Sequence, residues 1–552
     1  MTVPAAASVR DPNRYRPPAI GGLADLLDRH VRERPRARAL VVTGDRVELS
    51  YGALSALADD VAARLGGTGL RRGDVVGLAC ANTAEFVVAL LGGARAGLVV
   101  APVDPALPAS QVSARLEALG VRALLTGPSA GEAAPVTPSG VPAWPLRVAV
   151  SRAGTASAAL NADAPAPATA ARGAARELTV GDALVLFTAG TTDQAKMVPL
   201  THANVAASVR GICATYELGP GDATVAVMPF FHGHGLFAAL LASLASGGCV
   251  LLPARGRFSA HTFWDDMRAA GATWFTAVPT IHEILLDRSA IDHPGPRAPA
   301  HSPPLKFVRS CSAPLNAATQ RALERALGAP LLSAYGMTES THQVTSEPLP
   351  RHGSLKHGSV GRSTGVELRV VGPGGRPCPA GAEGEVWVRG ATVARGYLAD
   401  PAETERSFGD GWLRTGDLGT LDEDGYLFLT GRIKNLINRG GEKISPEHVE
   451  DVLAGCPGVA EAAVFAVPDA TYGQRVGAAV VLSRGESVGP EEILRYCRAR
   501  LAAFEVPDRL SVVAALPHTA KGGLDRAAVG ALYADAADGT DAADRHRGPG
   551  LT

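Results

Sequence analysis

Three consecutive runs set the fold class: DVVGLAC (74–80), FVVALLGGARAG (86–97) and LVVAPVDPAL (98–107). The outer two are short, continuous apolar runs rich in valine, and the middle one is long enough for a helix. A strand, a helix and a second strand in that order demand a crossover, so the sheet they join is parallel and covered on its faces. The run DRVELSYGALSALADDVAARL (45–65) repeats part of this grammar, as a strand followed by a helix capped near Ser50. The expected class is therefore α/β.

At 552 residues the chain is too long for one core, so several lobes are expected. Apolar residues make up 46% and charged residues 19%, a globular balance, and a formal net charge of -1 gives no pull toward nucleic acid or an anionic membrane. The longest apolar stretch, FVVALLGGARAGLVV, is broken by Arg95 and by glycines, which argues against a membrane span. MTVPAAASVRDPNRYRPP at the start lacks the apolar centre of a secretion signal. Seven scattered cysteines without a CxxC pair suggest neither a disulfide framework nor structural zinc, which fits a reducing cytoplasm.

Composition also marks boundaries. Residues 151–178 are rich in alanine and proline and poor in large apolar side chains, which reads as a flexible surface insertion. Residues 533–552 have the same character and read as a disordered tail. A β-rich patch around VELRVVGPGGRPCPAGAEGEVWVRG (366–390) precedes a change of pattern at TGRIKNLINRGGEKISP (430–446). The division expected is a large domain over 1–430 and a small one over 431–532, joined by a short polar hinge.

The segment FTAGTTDQAKMVPLTH (187–202) ends the strand ALVLF and turns through Thr188, Gly190, Thr191 and Thr192 to Lys196. Glycine lets backbone amides approach an anion, hydroxyls add donors and a lysine neutralises charge, so a nucleotide triphosphate is its natural guest. It is not a Walker loop, because G-x-x-x-x-G-K-[ST] is absent. An ordinary turn would look much the same.

MPFFHGHGL (228–236), VRSCSAPL (308–315), SAYGMTES (333–340), GWLRTGDLG (411–419) and LTGRIKNLINRGGEKISP (429–446) follow it along the chain. Together, and in this order, they resemble the signature motifs of the adenylate-forming superfamily over about residues 20–530. Within it the chain is most similar to the oxalate–CoA ligase branch of the acyl-CoA synthetases. The resemblance implies a large N-terminal domain of parallel α/β sheets with a β-rich subdomain, a small mobile α+β C-terminal domain, and ATP cleaved to AMP and pyrophosphate.

It also implies residue roles. Thr188, Gly190, Thr191, Thr192 and Lys196 would hold the β- and γ-phosphates. Thr338 would bind the α-phosphate, and Glu339 would ligate Mg²⁺, a hard cation that takes carboxylate and phosphate oxygens. Asp417 would accept from the ribose hydroxyls with Arg432 beside it. Tyr335, followed by Gly336 and Met337, would stack on adenine, flanked by Ser312, Ala313 and Pro314. His234 or His232, with Ser310 and His342, would line a compact pocket for a small, polar, anionic acid. The pair His232 and His234, both facing one way on an extended segment, also admits a metal site, though no further ligand set accompanies it. Lys434 would be the hinge, and Gly440 and Gly441 would edge the channel for CoA.

Two departures from the family pattern both touch the ATP step. Asp193, Ala195 and Met197 stand where the loop usually has glycines and a proline, and a carboxylate near a triphosphate repels it unless turned away or bound to metal. Near the C-terminus LPHTAKGGLDR has Gly523 where the family has its catalytic lysine, with Lys521 two residues earlier. In an extended segment these positions share a face about 7 Å apart, so Lys521 is the candidate replacement. Three readings stay open: a small-acid–CoA ligase, a diazotase that activates nitrite for an aryl amine as some relatives do, and a nucleotide-binding protein without turnover.

Overall fold

The computed structural model describes residues 15–42, 47–128, 140–151, 155–162, 166, 173–188, 195–292, 304–315, 317–483, 485–518 and 524–533. The three opening runs form strand Val75–Ala79, helix Ala84–Arg95 and strand Val99–Val103, and the two strands pair in parallel. They belong to a seven-stranded sheet ordered Ala156–Leu160, Ala143–Val150, Ala123–Thr126, Val75–Ala79, Val99–Val103, Asp182–Phe187 and Met197–Thr201. Its first and last strands pair antiparallel with their neighbours and the interior pairs are parallel. Ser50 caps helix Tyr51–Gly66, its hydroxyl accepting from Ala53 N–H, as the sequence leads one to expect.

Helix Ala84–Arg95 is buried from Ala84 to Ala94, so it is apolar all round because protein covers it on every side. Gly92 sits where this helix crosses Tyr51–Gly66, and a Cβ there would lie 2.8 Å from Val61. No described helix is long and apolar enough to cross a membrane.

The second layer contains a four-stranded sheet (Ala223–Val225, Cys249–Leu252, Arg38–Val42, Val47–Ser50) and a five-stranded one. The latter runs Trp274–Ala277, Phe307–Ser310 and Leu331–Tyr335 in parallel, then Thr345–Ser346 and Arg362–Ser363 antiparallel. One apolar core joins Phe86 and Leu184 to Phe230, Leu240, Trp274 and Phe307, so the two layers share an interior. Strands Glu367–Val371, Gly384–Arg389, Trp412–Leu421, Phe408–Gly409 and Leu427–Arg432 build the expected β-rich subdomain, antiparallel throughout.

Sheet membership changes after Arg432. A one-turn helix, Ile433–Asn435, leads to Ile437–Arg439, the first strand of a separate five-stranded sheet with its own core around Val449, Val464 and Val480. The residue expected to begin this domain, Gly431, is thus still in the last strand of the preceding sheet. The stretch 151–178, read from composition as a flexible insertion, differs from that reading where it is described. Ala156–Leu160 is an edge strand, and Ala158, Ala166, Ala174 and Ala175 are buried. Alanine alone is enough where neighbouring surfaces approach closely. The tail from residue 534 lies outside the described residues.

Candidate active site

The segment expected to hold the triphosphate leaves strand Asp182–Phe187 and returns through strand Met197–Thr201, which pairs with it. Thr188 N–H donates to Lys196 C=O at 3.0 Å and closes the loop's base. Gly190, Thr191, Thr192 and Asp193 lie outside the described residues. Thr201 caps the following helix, His202–Tyr216, in a reciprocal box with Asn204, fixing how the chain leaves the loop. Met197 turns inward and is buried. Lys196 Nζ lies 2.5 Å from Glu403 Oε1 and 4.7 Å from the centre of the Tyr397 ring. Hydrogen bonding from Lys196 holds the Glu403 carboxyl down at about 2 against its burial.

Tyr397 also donates its hydroxyl to Glu339 Oε1 at 2.9 Å. Burial, with Glu339 beside it, pushes the Tyr397 hydroxyl well above its ordinary range, so it remains a donor. Glu339 Oε2 has no hydrogen-bond partner among the described residues, so this buried carboxylate is held on one side and open on the other. A hard cation, which takes carboxylate oxygens, would fit that open side. Thr338 begins the one-turn helix Thr338–Ser340 that carries Glu339.

Asp417 is buried and is gripped from two sides, by Tyr335 OH at 2.5 Å on Oδ2 and by Arg432 Nε at 2.7 Å on Oδ1. Burial pushes its carboxyl upward, against the opposing pull of Arg432 and Tyr335. Its strand Trp412–Leu421 pairs Asp417 directly with Arg432 on Leu427–Arg432. Lys434 follows in the one-turn helix, and burial, then Arg432, lower its ammonium pKa. Gly440 and Gly441 form the tip of a hairpin in the small domain, with φ of 61° and 104° that glycine adopts without strain.

The pocket expected for the acid is assembled by the parallel strands. Ser310 ends strand Phe307–Ser310, and Ser312, Ala313 and Pro314 continue from it. His234 does not lie on an extended segment with His232, as the sequence reading had it. His232 is in a turn, and His234 starts a buried π-helix, His234–Leu241, whose wider turn breaks the shared face. His234 Nε2 contacts Thr276 Oγ1 at 2.6 Å and its Nδ1 contacts Ser312 Oγ at 3.0 Å. Hydroxyls therefore occupy both ring nitrogens.

His342 stacks on His234, ring centres 5.1 Å apart. It is held in the left-handed region at φ 61°, after Thr341 at φ 50°, while Gly336 lies against its backbone: a Cβ there would meet His342 C=O oxygen at 2.6 Å. Left-handed backbone at two successive residues bearing side chains is strain of the kind that clusters at functional sites. Burial, then the neighbouring cations and histidines, lower the pKa values of both His234 and His342 well below the ordinary range, so both rings are neutral at pH 7.

His342 Nε2 and Ser310 Oγ are buried without a hydrogen-bond partner, as is Arg309 Nη2 beside them in sequence. Arg309 is fully buried and did not enter the sequence reading, although a cation inside the strand FVRS was the available signal. Thr276, Tyr397 and Glu403 were also missed. For Glu403 the signal was Asp400-Pro401-Ala402-Glu403, a helix start in which Asp400 Oδ1 accepts from Glu403 N–H. Lys521 and Gly523 lie outside the described residues. Ser312, expected beside adenine, contacts the His234 ring.

A family model described as AMP-binding enzyme matches residues 27–398, and its C-terminal-domain counterpart matches 448–522. An oxalate–CoA ligase of Arabidopsis thaliana is 43% identical over 91% of this chain and 97% of its own. A sulfoacetate–CoA ligase of Cupriavidus necator is 34% identical over 93% of this chain and 98% of its own. The crystal structure of ATP-bound MatB from Rhodopseudomonas palustris superposes with a TM-score of 0.78 at 30% identity, over 93% of this chain and 99% of that one.

Proposed function

From the premise that this chain belongs to the AMP-binding enzyme family, whose models match most of it, we propose that it activates a small dianionic acid and passes it to CoA. The protein is an ATP-dependent, AMP-forming acid–CoA ligase. The finer choice of acid rests on one observation: His342 Nε2, Ser310 Oγ and Arg309 Nη2 are all buried and unpartnered around neutral histidines. Unpaired polar groups in a dry site are costly, and an acid with a second anionic group repays that cost where a fatty chain cannot. The oxalate and sulfoacetate ligases among its relatives carry acids of this kind in their names.

In this reading Lys196 and the loop hold the triphosphate, Thr338 meets the α-phosphate and Tyr335 packs on adenine. Asp417 takes the ribose hydroxyls, and Glu339 would hold Mg²⁺, which would supply positive charge to offset that of the phosphates. One carboxylate oxygen of the acid attacks the α-phosphorus and pyrophosphate leaves. CoA thiolate then attacks the acyl carbon, and AMP departs with the electron pair of the broken C–O bond. Lys434 is the hinge for a rotation of the small domain between these steps, and Gly440 and Gly441 line the approach of CoA.

Pyrophosphate release measured with ATP, Mg²⁺ and CoA across oxalate, malonate, sulfoacetate, acetate, a long-chain fatty acid and nitrite tests this. Release and thioester formation with the dianions, at kcat/KM at least tenfold above acetate, is the expected result. Preference for the fatty acid overturns the proposal. Release with nitrite plus an aryl amine alone would replace it with diazotisation, a chemistry that the names of the oxalate and sulfoacetate ligases do not carry.

A further inference from the structure

Arg309 Nε donates to Tyr216 OH at 2.9 Å and its Nη1 donates to Thr276 Oγ1 at 3.2 Å. A guanidinium only donates and stays protonated, so each contact fixes the direction of the next hydrogen bond. On the first branch Tyr216 OH lies 2.8 Å from Ser346 Oγ, which itself donates to Glu347 C=O at 2.9 Å. Ser346 has spent its proton on the carbonyl, so Tyr216 donates to Ser346, and that branch ends in the protein interior.

The second branch ends differently. Thr276 is fully buried, its oxygen accepts from Arg309, and His234 Nε2 at 2.6 Å is the one acceptor within reach of its hydroxyl proton among the described residues. The ring of His234 is neutral, so Nε2 accepts, Nδ1 carries the proton and donates to Ser312 Oγ at 3.0 Å. Ser312 has then accepted and keeps its own proton to give. Its backbone sits at φ 76°, left-handed, which turns it away from its strand.

We propose that Arg309 is a positioning residue: through Thr276 and His234 it sets the Nδ1–H tautomer and thereby presents the Ser312 hydroxyl as a donor to a carboxylate oxygen of the acid. The inference deepens the small-acid reading and rests on it for the identity of the acceptor. The direction of the chain itself stands apart from that reading. His234 is buried and Ser312 is exposed, so the relay runs outward from the interior to an accessible hydroxyl.

Thr276→Val keeps the side-chain shape and removes the relay. His234 Nε2 then loses its donor, the proton is free to move to Nε2, and Nδ1 can take the Ser312 proton inward. Nitrogen NMR of labelled histidine in the full-length protein is expected to show Nδ1–H for His234 in the wild type and loss of that state in Thr276→Val. KM for the acid should rise about ten- to a hundredfold, with kcat changed less, since a hydrogen bond to a charged partner is lost. Thr276→Ser should restore both the tautomer and KM. Tyr216→Phe breaks only the other branch, so it should leave the His234 tautomer as it is.

Wild-type His234 with its proton on Nε2, or an unchanged acid KM in Thr276→Val, overturns the proposal. If no acid is activated, the small-acid reading falls, and the tautomer alone then decides the direction of the chain.

Discussion

Lys196 and Glu403, 207 residues apart in the chain, form a 2.5 Å ion pair with the Tyr397 ring packed against the ammonium. The lysine proposed to meet the triphosphate is therefore engaged by a carboxylate in this structure. Glu403 is itself held by Arg406 and Ser407, so it does not follow Lys196 when the pair opens. Glu403→Gln removes a competing charge while keeping a hydrogen-bonding group. ATP affinity measured by calorimetry is expected to tighten about three- to tenfold, in keeping with one partly exposed pair. Weaker ATP binding would mean that Glu403 aims Lys196 and does not compete for it.

Tyr397 joins that pair to Glu339, the proposed cation ligand, since its hydroxyl holds Glu339 Oε1. Tyr397→Phe keeps the ring under Lys196 and frees the carboxylate to rotate. The Mg²⁺ concentration giving half-maximal pyrophosphate release should rise about tenfold, the effect of losing one hydrogen bond to a charged group. An unchanged Mg²⁺ requirement would separate Tyr397 from the metal step.

The sequence made the strand–helix–strand frame legible because Val75–Ala79 and Val99–Val103 are buried on both faces and so lack polar interruptions. The contact of Asp417 with Tyr335 and Arg432 joins residues that the sequence had already singled out, because each stands in a short motif readable in one dimension. Arg309 and Thr276 were not, because they meet only across neighbouring parallel strands, where Thr276 pairs with Arg309 in register. Glu403 was hidden likewise, its partner lying 207 residues away. The alanine-rich stretch misled because side-chain volume was taken as a requirement for burial, whereas Ala158, Ala174 and Ala175 are buried without it.

Burial lowers the pKa of His282 to about 4, and its Nδ1 has no partner. The unfolded chain takes up a proton there near 6.5 and the folded one only near 4. Its contribution to stability is therefore full above pH 6.5 and is lost as pH falls to about 4, an amount on the order of 3 kcal/mol at most. Glu347 runs the other way. Burial raises its pKa to about 7, so its contribution is full below 4.5 and is lost as pH rises through 7. The two slopes oppose within one window, which makes the wild-type curve alone uninformative. Urea unfolding of His282→Gln and wild type should converge as pH falls from 6.5 to 4. Parallel curves would show that His282 titrates alike in both states.

In the proposed adenylation step a cation is expected to act on the α-phosphate. The resemblance places a lysine at the position of Gly523, and Lys521, two residues earlier in the sequence, is the nearest alternative. A cation there stabilises charge as pyrophosphate leaves, but it has no such charge to meet when CoA attacks a preformed acyl-adenylate. The two half-reactions should therefore separate. Lys521→Ala is expected to abolish acid-dependent pyrophosphate release, a loss of about 10²–10³ or more, while synthetic acyl-adenylate plus CoA still yields thioester at the wild-type rate. Gly523→Lys is expected to raise the first step and leave the second alone. If Lys521→Ala leaves pyrophosphate release unchanged, the displaced lysine does not serve this step.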